Sequence, residues 1–191
     1  DQTHRWIVDP LDGTTNFLHG VPIFCIAIAL EREGEIVAGL TYNPIHDELY
    51  TAEKGQGAFL NNRRLRVAAR KALADSLITT GIPHRGRPEH GRFLAECKGL
   101  MSQVAGIRRT GSAALDLAWV AAGRFDGYLE HGLSPWDMAA GTLLVREAGG
   151  HVSDATGGKR MFETGDIVAG NTRVHKAMLE LLAETTEPSK V

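Results

Sequence analysis

The chain has 191 residues, room for one large domain or two small ones, and its 43% hydrophobic and 23% charged residues are ordinary for a water-soluble globular protein. A net charge of −2 excludes a global pull toward nucleic acid or an anionic membrane. No apolar stretch approaches the ~20 residues that span a bilayer, no charged segment followed by an apolar one marks a secretory signal, and Cys25 and Cys97 suggest no disulfide scaffold, so a reducing cytoplasm is the expected location.

Residue 1 is Asp, not Met, and a strand-like run starts almost at once, so further residues are expected upstream. Trp6-Ile7-Val8 predicts a buried strand that meets a turn at Asp9-Pro10. Ile23 to Leu30 is apolar almost throughout, which predicts a strand covered on both faces and makes Cys25 a buried free thiol. Glu33-Gly34 is a turn; strands follow over 36–42 and 48–52, and 58–67 predicts a hairpin around Asn61-Asn62. Arg63, Arg64, Arg66, Arg70 and Lys71 form a basic cluster, read as a solvated face or hairpin tip in preference to a nucleic-acid patch.

The texture then changes. A strand is predicted over 76–80, a polar loop over 84–90 and a helix over 92–104. Ser112 is placed to cap a helix over 113–122 that stops at Gly123. A strand at 128–130, a helix over 137–148, a strand at 167–169 and a helix over 173–183 complete the pattern, with a frayed tail over 184–191. Residues 1–72 therefore form a β-rich part and residues 73–191 an α/β part.

Two motifs carry chemistry. In Asp9-Pro10-Leu11-Asp12-Gly13-Thr14-Thr15, carboxylates three apart follow a strand. Aimed at one spot they repel by about 4 kcal/mol, for unit charges about 4 Å apart at an effective dielectric of about 20. A cation relieves that repulsion, and all-oxygen ligands suit Mg²⁺. The Leu11 carbonyl lies between the two acids. Gly13 admits close backbone approach, and the N–H groups of a helical turn begun at Thr14 offer an anion site beside the cation. The same Asp12 and Thr14 also suit helix capping. In the second motif, Ser134-Pro135-Trp136-Asp137-Met138-Ala139-Ala140-Gly141, Asp137 falls in the first turn of a helix, where it serves equally as a cap. Ala139, Ala140 and Gly141 allow that helix to pack closely on a neighbour. The eight histidines show no zinc-site spacing, and paired carboxylates read as a glycosidase leave the Gly-Thr-Thr turn and the third Asp unexplained.

DPLDGTTNF at 9–17, PWDMAAG at 135–141 and EAGG at 147–150, in this order, resemble the inositol monophosphatase family; GAFLNN at 57–62, the run 108–130 and VSDATGG at 152–158 extend the resemblance over nearly the whole chain. It implies an α+β, α-β-α-β-α layered sandwich, a Mg²⁺ cofactor, a small phosphate-ester substrate and a homodimer. It implies that Asp9, the Leu11 carbonyl, Asp12 and Asp137 bind metal. Asp9 and Thr14 are then the catalytic pair, with Thr14 orienting the attacking water. Leu11, Asp12, Gly13, Thr14, Gly111, Ser112, Ala113, Glu130 and Asp137 line the substrate site. Apart from the family, Glu130 reads as a surface acid. The family's upstream acidic pair and the N-terminal helices that cover its sheet fall before Asp1. The resemblance implies hydrolysis of inositol monophosphate or a similar polyol phosphate. Its alternatives are fructose bisphosphate, histidinol phosphate, nucleotide 3′-phosphate or NADP(H) hydrolysis, or a non-catalytic regulatory role.

Overall fold

The computed structural model describes residues 3–83, 86 and 90–186. The first part is a six-stranded antiparallel meander in the order β1-β2-β3-β4-β5-β6. Its strands are β1 (His4–Asp12), β2 (Cys25–Arg32), β3 (Glu35–Asn43), β4 (Glu48–Glu53), β5 (Gly57–Leu60) and β6 (Arg63–Arg64), with a short helix α1 (Thr14–Leu18) between the first two. The second part is a mixed sheet in the order β10-β11-β9-β7-β8. Here β7 (Leu77–Thr80) runs parallel to both β8 (Gly106–Arg108) and β9 (Gly127–Glu130). The strands β10 (His151–Ser153) and β11 (Ile167–Gly170) complete it in antiparallel fashion.

The helices set the layers. Between the sheets lie α3 (Ala113–Ala121) and α4 (Pro135–Glu147), which touch each other and strands of both sheets. The helices α2 (His90–Met101) and α6 (Thr172–Thr186) pack together on the far side of the second sheet, and α5 (Met161–Thr164) is a single turn. The described residues thus supply a β-α-β-α stack, in agreement with the layered α+β sandwich implied by the resemblance. The core between the sheets joins Cys25, Ala27 and Ala29 of β2 to Leu115, Leu117, Met138 and Leu144 of the helices, all 5% exposed or less. A smaller core under α2 and α6 holds Ile78, Leu100, Val168 and Met178. The small residues of α4 work as expected: a Cβ on Gly141 would lie 2.4 Å from Leu117 Cβ.

Several elements differ from the sequence reading. The predicted strand 6–8 continues through the motif to Asp12. Pro10 is tolerated there because β1 is an edge strand, where a missing N–H costs no ladder bond. The run 23–30 is covered on one face only: Cys25, Ala27 and Ala29 are buried, whereas Ile26 is 36% exposed and neighbours Val8 and Trp6 are 46% and 67% exposed. Among the described residues the second face of this run is open. Arg63, Arg64, Arg66, Arg70 and Lys71 are all exposed, and Arg64 lies over the Phe59 ring. Cys25 is buried and free. Of the predicted loop 84–90 only Gly86 and His90 fall within the described residues, and His90 already opens α2. The predicted tail is helical to 186; the rest of it lies outside the described residues.

Candidate active site

The register of β1 against β2 explains how the first motif works. Asp9 pairs with Ala27 and Asp12 with Cys25, so three steps on β1 oppose two on β2. Residues three apart in a regular strand point to opposite faces. The extra residue, a β-bulge at Pro10-Leu11, brings Asp12 back to the face of Asp9. Asp9 Oδ1 accepts the Leu11 N–H at 3.0 Å, and Thr14 Oγ1 donates to the Leu11 carbonyl at 2.9 Å. Gly13 closes the turn at φ 86°, and a Cβ there would sit 2.8 Å from the Ile23 carbonyl oxygen, so both conformation and space demand glycine.

Asp12 is 8% exposed and anchored from a hundred residues away: Ser112 Oγ and the Ala114 N–H donate to its Oδ2 at 2.6 and 2.8 Å. Ser112 does stand at the head of α3, but its hydroxyl serves Asp12 and does not cap the helix. Burial, despite these donors, pushes the Asp12 carboxyl up to about 7, and Asp137 and Asp9 add to the rise. Burial and the same carboxylate likewise push the Cys25 thiol up, 3.8 Å away.

Asp137 opens α4 and accepts the Ser134 N–H at 2.7 Å through Oδ2. It is a helix-start residue and also a member of the cluster. Asp9, Asp12 and Asp137 each present an oxygen within 4.8 Å of the others, the one group of this kind among the described residues. Three carboxylates that repel unless neutralised, beside a carbonyl, form an all-oxygen donor set that fits a hard divalent cation. The family-implied set thus passes a chemical test on this chain's own residues.

The cluster forms the floor of a cleft of about 340 Å³ lined by Leu11, Gly13, Thr14, Thr15, Gly111, Ala113 and Glu130, with Ile82, Leu133 and Trp136 as apolar walls. Every predicted site residue lines it except Ser112, which lies beneath. Glu130 is at the carboxyl end of β9. Its carboxylate accepts from Tyr128 OH at 2.6 Å and covers Gly81, where a Cβ would fall 1.9 Å from Glu130 Cδ. The loop from Glu130 to α4 is clamped from below. His131 Nε2 lies 2.7 Å from Glu96 of α2, its Nδ1 3.0 Å from Asp166, and Leu133 N–H donates to the Gly165 carbonyl at 2.9 Å. Burial opposes the charge on His131, but Asp166 and Glu96 outweigh it and hold its pKa up at about 9.

The sequence reading did not pick out Gly81, Arg109 or Asp116. Asp116 is 1% exposed in α3 and accepts from Thr79 Oγ1 at 3.0 Å; burial raises its pKa well above the ordinary value. An acid alone in an Ala/Leu-rich helix was a usable signal, since unpaired acids seldom occupy buried faces. Gly81 follows a predicted strand, a weak signal of close approach. Arg109 is one of two adjacent arginines and carries no periodic signal at all.

The model of the inositol monophosphatase family matches residues 1–190. An inositol-1-monophosphatase of Rhizobium meliloti is 63% identical over 190 residues, which is 100% of this chain and 71% of that protein. The Nus factor SuhB of Pseudomonas aeruginosa is 51% identical over 188 residues, 97% of this chain and 69% of that protein. The crystal structure of extragenic suppressor protein suhB from Bartonella henselae superposes with a TM-score of 0.93 at 58% identity, covering 95% of this chain and 70% of that one.

Proposed function

Because this chain belongs to the inositol monophosphatase family, we propose that it is a Mg²⁺-dependent phosphomonoesterase, releasing inorganic phosphate from inositol monophosphate or a similar polyol phosphate in the cytoplasm. The observation that carries this reading is the convergence of Asp9, Asp12 and Asp137 on the floor of a cleft that Thr14 and Glu130 also line. Asp9, the Leu11 carbonyl, Asp12 and Asp137 would hold the cation. Bound there, it supplies neutralisation of the phosphate and a lowered pKa for water.

The chain's own groups do the rest. The N–H groups at the start of α1, which a helix start leaves without intrahelical partners, receive phosphate oxygens beside Gly13. Thr14 Oγ1, already oriented by the Leu11 carbonyl, positions the attacking water, and Asp9 accepts a hydrogen bond from it. The backbone of 111–113 and the Glu130 carboxylate take the hydroxyls of the alcohol, while Trp136, Ile82 and Leu133 restrict water at the rim. Residues 1–72 contribute the cation and phosphate turn, residues 73–191 the third aspartate and the substrate wall. A homodimer, checked by sedimentation, is part of the same reading.

Phosphate release from inositol 1-phosphate during a Mg²⁺ titration tests it. Asp137→Asn should lower kcat by about 100-fold or more, the cost of one preorganised charge in such a site; full activity of that variant would overturn the assignment. A second reading, a regulatory protein that keeps the cleft without turnover, is motivated by the relative named a Nus factor. Calorimetric binding of Mg²⁺ and phosphate ester with no phosphate release would favour it.

A further inference from the structure

We infer that Arg109 forms a second anion subsite in the cleft, selecting phosphate esters whose alcohol carries another phosphate or carboxylate; this rests on the phosphatase reading above. Three parallel strands bring their carboxyl ends to the cleft in the spatial order β9-β7-β8. The register sets Leu129 opposite Thr80 and Arg108 opposite Thr79, so Glu130 follows beside Gly81 and Arg109 follows one residue earlier, beside Thr80. Glu130, Gly81 and Arg109 all line the cleft. The substrate wall has a carboxylate on its β9 side and a guanidinium on its β8 side. At about 4.8 Å per strand, the two charged residues' backbones stand roughly 10 Å apart.

Arg109 is exposed, and it takes no carboxylate partner among the described residues. Its Nη1 lies against Gly111, 2.9 Å from where a Cβ would be, with Asn16 Nδ2 at 3.0 Å from the same point. The guanidinium thus borders the backbone proposed to face substrate. With Asp9, Asp12 and Asp137 assigned to the cation, Glu130 and Arg109 are the charged lining groups left to read the alcohol portion. A carboxylate accepts from hydroxyls, whereas a guanidinium fork matches the paired oxygens of phosphate or carboxylate. A polyol with hydroxyls toward β9 and an anionic arm toward β8 satisfies both.

The test uses the full protein with Mg²⁺ and two substrate pairs: fructose 1,6-bisphosphate against fructose 1-phosphate, and 3-phosphoglycerate against glycerol 1-phosphate. The readout is the ratio of kcat/KM within each pair, so a general loss of folded enzyme cancels. Arg109→Ala should lower the ratio about 10- to 100-fold, the worth of a charge-assisted hydrogen bond, and Arg109→Lys should recover part of it. A response in the bisphosphate pair alone identifies phosphate as the second group; a response in both pairs identifies any anionic oxygen group. Ratios unchanged in Arg109→Ala, with all four esters hydrolysed, overturn the subsite and leave the phosphatase reading intact. A wild-type protein that hydrolyses none of the four overturns the phosphatase reading and the subsite with it.

Discussion

Replacing Asp12 by Asn should stabilise the ion-free protein while abolishing its activity. The carboxyl stands at about 7 against an ordinary 3.8, so ionised Asp12 costs the fold roughly 4 kcal/mol. The sign follows from the proton count. Below about pH 4 the group is protonated in both folded and unfolded chains and nothing is lost. Between about 4 and 7 the folded protein holds a proton that the unfolded chain has released, so stability falls as pH rises. Above about 7 the full penalty stands. An Asn amide oxygen in place of Oδ2 keeps the donors Ser112 Oγ and Ala114 N–H. Because a buried amide carries a cost of its own, we expect about half of the penalty, about 2 kcal/mol, as net gain at pH 8. Urea unfolding in EDTA at pH 5 and pH 8, followed by circular dichroism, measures it. The gain should be large at pH 8 and smaller at pH 5. Added Mg²⁺ should then stabilise the wild type and not the variant. A variant no more stable than wild type at pH 8 in EDTA would refute the reasoning.

Other perturbations probe the surroundings. His131, held at about 9 by Asp166 and Glu96, contributes stability that is complete below about 6.5 and lost as pH rises through about 9; the loss, up to about 3 kcal/mol, should vanish in His131→Asn when melts are compared across that range. Gly81→Ala forces the Glu130 carboxylate aside and should reduce kcat/KM for inositol 1-phosphate roughly 100-fold, as small misplacements do; an unchanged value would show that Glu130 does not face substrate. Asp116→Asn should favour the fold more at pH 8 than at pH 5 in urea unfolding, because burial raises the native carboxyl's pKa and an amide has no proton to take up on folding; an effect that does not grow with pH would refute this.

Much of this was legible in the chain. The meander of 36–60 announced itself through alternation and turn residues, and the helices at 113 and 137 through capping signals and small residues. Asp9 and Asp12 were identifiable because paired carboxylates beside Gly-Thr-Thr suit a cation and an anion in one turn; Asp137, which alone reads as a helix cap, joined them only through the family resemblance. What stayed hidden depended on partners distant in sequence. The run 23–30 was expected to be covered on both faces; among the described residues one face is buried and the other open, and period and polarity say nothing about which layers stand beside a sheet. Ser112 was expected to cap α3, since the residue type is right, but a buried carboxylate a hundred residues earlier competes for its hydroxyl and wins. Gly81 acquires meaning only when β7 places it beside Glu130 of β9, and Arg109 only when the end of β8 brings it to the same cleft.

The slipped register of β1 has a consequence for how this site can change. Insert one residue into β2 between Cys25 and Ala27 and β1 regains a perfect ladder opposite it, with every carboxylate still in the sequence. The alternation of the pleat would then turn one of the two aspartates outward. Such a chain would have the more regular sheet and no cation cage, so the site is encoded in a count of residues as well as in their kinds. Such an insertion is therefore more damaging to activity than most substitutions, and damaging without unfolding anything.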